Sequence, residues 1–138
     1  MIRRRALLAA PALLTLTPAQ AQAAWPSRPV RVIVPSAPGD GGDSIARLFA
    51  AKLQEALGQP FAVENRTGAG GRIGTEAAAR ATPDGYTLIM GNAGSHGING
   101  AVYRNLPYDL VRDFQPISLL VEAPNVLVVN RKVLDVGS

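Results

Sequence analysis

The chain has 138 residues, no cysteine, one histidine and a formal charge of +4, which excludes disulfides, thiolate metal sites and a cysteine nucleophile. One imidazole and no thiolate also supply too few donors for a zinc-type centre. The charge is not spread: Arg3, Arg4 and Arg5 hold three of the 14 basic residues, which leaves 11 against 10 acidic ones in the rest, with no clustered basic face of the kind a nucleic-acid binder needs.

Those three arginines open a segment that reads as a secretory signal peptide, Met1 to about Ala23. An apolar run from Ala6 to Leu16 follows them. Ala19-Gln20-Ala21 and Ala21-Gln22-Ala23 both fit the A-x-A cleavage pattern. The apolar run is shorter than the roughly twenty residues a membrane-spanning helix needs. The expectation is an exported, soluble protein of about 115 residues after cleavage, enough for one domain.

Trp25-Pro26-Ser27-Arg28-Pro29 is an extended lead-in stiffened by two prolines. Val30-Arg31-Val32-Ile33-Val34 is a β-branched strand suited to the interior of a parallel sheet. It empties into Ser36-Ala37-Pro38-Gly39-Asp40-Gly41-Gly42-Asp43, a glycine- and aspartate-rich turn. An amphipathic helix follows, with apolar side chains at Ile45, Leu48, Phe49, Leu53, Ala56 and Leu57. Asp43 or Ser44 is expected to cap its start, and Gly58 followed by Pro60 to end it.

Phe61 to Asn65 predicts a second strand, running into the turn Arg66-Thr67-Gly68-Ala69-Gly70-Gly71. A helix is expected from about Ile73 to Ala81, with Glu76 and Arg80 as an i, i+4 pair. After the turn Thr82-Pro83-Asp84-Gly85, a third strand spans Tyr86 to Met90 and ends in the loop Gly91 to Gly97. Leu106-Pro107-Tyr108-Asp109 reads as a surface turn, and Ile117 to Val121 and Val126 to Val129 as two further strands. Strand and helix alternating with short links predicts an α/β fold on a mainly parallel sheet.

Ligands of open parallel sheets bind outside the carboxyl ends of the strands, where three glycine-rich turns fall here. A helix start there presents unpaired backbone N–H groups on a positive dipole end, a seat for a carboxylate or phosphate. The same glycines would serve equally for tight turns alone. Gly39-x-Gly41-x-x-Ser44, with Glu64 about twenty residues on, imitates a dinucleotide fingerprint. Pro35 and Pro38 stiffen that turn, however, and Asp40 and Asp43 put negative charge where a pyrophosphate would sit.

An enzyme reading uses His96 beside Ser95, with Asp40 or Asp43 as the orienting acid. Adjacent residues on one loop are expected to point apart, and no G-x-S-x-G elbow is present. Asp40 and Asp43 could hold a cation or an amino group, or could simply be solvated carboxylates at a helix start. Asn65-Arg66-Thr67 fits the N-glycosylation pattern, which acts only in a glycosylating secretory pathway.

From Trp25 onward the chain resembles the N-terminal part of the Bug-type periplasmic receptors, the substrate-binding components of tripartite tricarboxylate transporters. The resemblance is carried by Trp25 to Arg31, by Val34 to Gly39 with Asp43, Ala46 and Arg47, and by Val63 to Arg66 with Gly68 to Gly71. It continues through Ile73-Gly74, Pro83 to Leu88, Ile98-Asn99, Leu106 to Asp109, Asp113-Phe114 and Pro124 to Val129. It implies a periplasmic-binding-protein-like lobe of the two-lobed type II (Venus-flytrap) kind and no enzyme. It also implies a small organic carboxylate as ligand, membrane permease subunits as partners, a monomeric intact receptor, and no cofactor, nucleic acid or metal. Carried onto this chain, the ligand contacts are Ser36, Ala37, Pro38, Gly39, Asp40, Gly41 and Asp43, with Ser95 and His96 facing the same cleft.

Two departures stand out. Asp40 and Gly42 occupy places where the family has a second glycine and a hydroxyl residue, so Asp40 would raise the cost of a second anionic group on the ligand or favour an amine-bearing or less charged one. Gly100 replaces a proline after Ile98-Asn99. Family members also run to about twice the mature length. The expected organisation is a signal peptide over 1–23, a first lobe over 24–125 and a crossover strand opening the second lobe over 126–138, the rest of that lobe being missing.

Overall fold

The computed structural model describes residues 24–124 and 126–130; the expected signal peptide lies outside the described residues. Three strands, β1 (Val30–Val34), β2 (Phe61–Asn65) and β3 (Thr87–Ile89), form a parallel sheet in the order β2-β1-β3. Val32 stands beside Val63 on one side and Leu88 on the other. As the central strand, β1 buries Val30, Val32, Ile33 and Val34, which accounts for its β-branched composition.

Helix α1 (Gly41–Leu57) covers the face carrying Val30 and Val32, where Ala50 and Phe61 complete a core flanked by Leu53, Val63, Tyr86 and Leu88. Helix α2 (Arg72–Ala79) packs on β1 and β3. Its approach to the end of β1 requires Gly74, since a Cβ there would lie 2.7 Å from the Arg66 carbonyl oxygen and 3.0 Å from Pro35 Cα. The lead-in is pinned by Trp25, whose ring stands edge-on to Phe61 at 6.3 Å, and by Ser27, which hydrogen-bonds the Tyr86 hydroxyl.

Several expectations hold. Gly58 ends α1 in the left-handed conformation, its N–H bonded to the Gln54 carbonyl, and Glu76 pairs with Arg80 at 2.6 Å. Others are corrected. The cap of α1 is Asp40, not Asp43 or Ser44, because Asp40 Oδ1 accepts the Asp43 N–H at 2.8 Å and the helix begins at once with Gly41. Its buried face runs through Asp43, Ala46 and Ala50, while Leu48 is 62% exposed; the small alanines let the helix lie close to the sheet, which turns Leu48 outward.

The third turn is helical rather than a loop: a π-helical turn, Ala93–Ile98, runs into the short helix α3 (Asn99–Val102). Tyr108, expected on a surface turn, is 7% exposed and stands edge-on to Phe114 at 6.3 Å. Residues 117–121 and 126–129 form no strand. Neither segment has a ladder partner among the described residues, and an extended segment becomes a strand only through its neighbour's hydrogen bonds. Among the described residues no helix is long and apolar enough to cross a membrane.

Candidate functional site at the carboxyl ends of the strands

All three glycine-rich turns lie at the carboxyl end of the sheet, and they meet. A Cβ on Gly71 would stand 3.1 Å from Ser95 Cβ and 3.2 Å from the Pro35 carbonyl oxygen, and φ there is +87°. Only glycine fits both restrictions. Asn99 Nδ2 donates to the Gly70 carbonyl at 2.9 Å and ties α3 to the second turn.

The first turn is held by its own side chains. Asp40 Oδ1 accepts from Ser36 Oγ at 3.0 Å and from the Asp43 N–H. Asp43, 3% exposed, accepts from the Gly39 N–H at 2.8 Å, from Arg47 Nε at 2.9 Å and from Asn65 Nδ2 at 2.9 Å. Asn65 also donates to the Ser36 carbonyl and accepts from Arg47. The Arg47 guanidinium, helped by the Gly39 and Asn65 donors, outweighs the cost of burial and lowers the Asp43 pKa to about 2.

These bonds leave the backbone N–H groups of Gly41 and Gly42 without an acceptor among the described residues. They are the first two donors of a seventeen-residue helix, on its positive dipole end. Two of the three arginines near the strand ends are paired with carboxylates, while Arg72 has no carboxylate partner among the described residues and its buried Nε makes no hydrogen bond. Arg47 is spent on Asp43, Arg66 on Glu64 at 2.6 Å, and Arg72 lies over the Tyr103 ring at 4.3 Å.

In the third turn, Asn92 and Ser95 cap each other reciprocally: Ser95 N donates to Asn92 Oδ1 at 2.8 Å and Asn92 N to Ser95 Oγ at 3.1 Å. Ser95 Oγ also lies 2.8 Å from His96 Nδ1. The two side chains therefore do not point apart as expected. The π-helical backbone turns them together, but without completing a triad. Ser95 is 1% exposed, and Asp40 and Asp43 are committed within the first turn. A cation between these aspartates would likewise have to displace Arg47 from Asp43.

Of the expected contact residues, Ala37, Pro38, Gly39 and Gly41 are exposed and Ser36, Asp40 and His96 half-buried. Asp43 and Ser95 are buried and build the turns instead of lining a cleft. Sequence reasoning missed Asn65 and Asn92 as parts of the frame. The spacing Asn92-x-x-Ser95 was a readable capping signal, whereas nothing local marks Asn65, whose partners lie 22 and 29 residues away.

A cavity of about 430 Å³ lies at the opposite, amino end of the sheet, lined among others by Arg28, Arg31, Arg80 and Tyr86. Its arginines are paired with Asp84, Glu64 and Glu76 respectively. It lies remote from the helix start; Arg31 shares Glu64 with Arg66, and its Nε makes no hydrogen bond.

Residues 45–133 match the model of the tripartite tricarboxylate transporter family receptor. Protein BugT of Bordetella pertussis is 42% identical over 109 residues, 78% of this chain and 33% of that protein. Among solved structures, the periplasmic binding protein BugD superposes with a TM-score of 0.64 at 42% identity, over 67% of this chain and 31% of that one. MatC from Rhodopseudomonas palustris with bound malate superposes with a TM-score of 0.66 at 45% identity, over 69% and 32%. The chain thus spans about a third of the length of the proteins it matches. Sequence and fold agree over the same parallel α/β unit: the chain belongs to the tripartite tricarboxylate transporter family of periplasmic substrate-binding receptors, and that family is one of receptors, not enzymes.

Proposed function

We propose that this chain forms the carboxylate-holding lobe of an extracytoplasmic receptor for a small organic dicarboxylate, delivered to membrane permease subunits. The observation that carries the reading is the pair of N–H groups, Gly41 and Gly42, without an acceptor among the described residues, at a helix start framed by three turns at the carboxyl ends of parallel strands. Malate in the related MatC supports the ligand class. Met1 to Ala23 is the export signal that takes the protein to the periplasm, and the intact receptor acts as a monomer.

Ser36, Ala37, Pro38, Gly39, Asp40 and Gly41 contact the ligand, with His96 facing them from the third turn; Asp43 and Ser95 hold those two turns in shape. A receptor of this kind closes two lobes over its ligand, so one lobe leaves part of the ligand wet and binds weakly.

Thermal-shift and calorimetric titration of the purified chain with malate, longer dicarboxylates, tricarboxylates and amino acids tests the reading. A ligand that binds the folded state alone raises the melting midpoint by mass action. The expected result is a rise with dicarboxylates that saturates only at high concentration. A cooperative melt that no carboxylate moves would overturn it.

A further inference from the structure

The cavity of about 430 Å³ at the amino end of the sheet is walled by three separate parts of the chain. Arg31 of β1 and Thr87 of β3 stand side by side in the ladder. Arg80 and Thr82 come from the end of α2, and Arg28 from the lead-in.

These walls offer many donors and few free acceptors. Arg31 Nε lies 3.3 Å from Glu64 Oε2 without forming a hydrogen bond, and Arg66 holds the other oxygen of that carboxylate at 2.6 Å. Arg28 and Arg80 each use one nitrogen, Nη2, on a carboxylate: Asp84 at 2.8 Å and Glu76 at 2.6 Å. A guanidinium carries five N–H donors, so most of theirs remain. Arg28 is also steadied by the Tyr86 ring, whose centroid lies 3.8 Å from its guanidinium carbon. On the acceptor side, Asp84 already takes Arg28 and the Tyr86 N–H. The carbonyls of Glu76 and Ala78, at the end of α2, take the N–H groups of Arg80 and Ala81. Four arginines thus face three carboxylates in this network, and the positive excess centres on Arg31.

We propose that this cavity is a second binding site, for a tetrahedral oxyanion of the phosphate class, with Arg31 as its principal contact. The site lies at the opposite end of the sheet from Gly41 and Gly42 and does not rest on the receptor reading. Donors reach the cavity from the lead-in, the strands and the end of α2, so oxygens on several sides of one ligand meet more of them than the two oxygens of a planar carboxylate. Guanidinium forks match phosphate oxygens in geometry as well as charge. Turning Arg31 toward an anion breaks no hydrogen bond, and Glu64 keeps Arg66. The arginine side chains are 41% to 70% exposed, so the attraction is modest and weakens with salt.

Titration of the ¹⁵N-labelled full chain with inorganic phosphate at constant ionic strength, followed through amide and arginine Nε–H resonances, tests the site. Arg31 Nε–H and the Thr82, Asp84 and Thr87 amides should move and saturate, with half-saturation on the order of 1 mM. No saturable movement there, or movement confined to Gly41 and Gly42, would overturn the proposal. So would equal movement with sodium chloride, which would reduce the effect to screening, or tighter binding of malate than of phosphate at these residues. Arg31→Met, which keeps an apolar stem and leaves Glu64 to Arg66, should weaken phosphate binding about tenfold. Arg80→Gln, at an exposed helix end, should weaken it roughly twofold to fivefold and serves if Arg31→Met does not fold. Unchanged affinity in a folded variant of either kind would remove that arginine from the site, and in both would overturn it. Glycerol phosphate separates the sources: movement matching that of inorganic phosphate supports an esterified phosphate as ligand, and movement with inorganic phosphate alone supports the free ion.

Discussion

Asn65 Nδ2 donates to Asp43 Oδ1 at 2.9 Å across 22 residues of chain, joining the end of β2 to the first turn of α1. The same amide holds the Ser36 carbonyl and accepts from Arg47. One side chain thus fixes both ends of the turn that carries Gly41 and Gly42, and the shape of the proposed anion seat depends on a strand that contributes no backbone donor to it.

Asn65→Ala should therefore cost more than its half-buried position suggests. It removes three hydrogen bonds and leaves a buried carboxylate oxygen with one donor fewer, for a loss of about 1–3 kcal/mol. Urea denaturation would show a lower midpoint with an unchanged slope. A shift under a few tenths of a kcal/mol would mean that the turn holds its shape unaided.

Acid should unlock the same turn. Asp43 titrates at about 2 in the folded chain against an ordinary 3.8, so the unfolded state binds more protons in that interval. The stability it contributes is present in full above pH 4 and is lost as pH falls from about 4 through about 2. Midpoints measured against pH should fall across that window, and Asp43→Asn should flatten the fall while lowering the plateau above it.

His96 adds a separate arm at higher pH. Burial depresses its pKa below 6.5, so the folded state again holds fewer protons than the unfolded one. Its contribution is complete above pH 6.5 and declines below it. In His96→Gln the melting midpoint should stay level between pH 7 and pH 5.5, where the unaltered chain begins to drop.

Asp40 has two opposing roles that substitution can separate. Asp40→Asn keeps an oxygen for the Asp43 N–H and removes a negative charge beside the proposed anion seat, so a dianionic ligand should bind more tightly at little cost in stability. Asp40→Ala removes the cap as well and should cost about 0.5–2 kcal/mol. Calorimetry with malate on both variants tells charge from capping; weaker malate binding by Asp40→Asn would show that the carboxylate itself contacts the ligand.

Val126, Leu127 and Val128 lie open to solvent, Leu127 at 91%. A contiguous apolar stretch of this kind invites self-association. Replacing Leu127 with Asp should reduce concentration-dependent association in sedimentation and leave the melting midpoint in place, because no packed contact is lost.

Most of the sheet and α1 was legible because the signals were local. Val30 to Val34 is too β-branched for a surface helix, Gly58 can take the left-handed conformation that ends a helix, and Glu76 and Arg80 are four apart. The errors came where a residue's neighbour lies far along the chain. Ile117 to Val121 has strand composition, but a strand exists only with a partner. Leu48 fits the helical stripe, but the sheet chose the side bearing Ala46 and Ala50. Tyr108 sits among turn residues, and it is Phe114 that turns it inward.

The sequence by itself determined the parallel α/β order, the glycine-rich turns at the carboxyl ends of the strands and the family, because periodicity, turn chemistry and motif order are written within short spans. Only the tertiary structure decided which aspartate caps α1, that Asp43 and Ser95 hold the turns rather than line them, and that Ser95 faces His96. Each of those outcomes depends on which donor reaches which acceptor across tens of residues, and hydrogen-bond distance is a property of the folded chain alone.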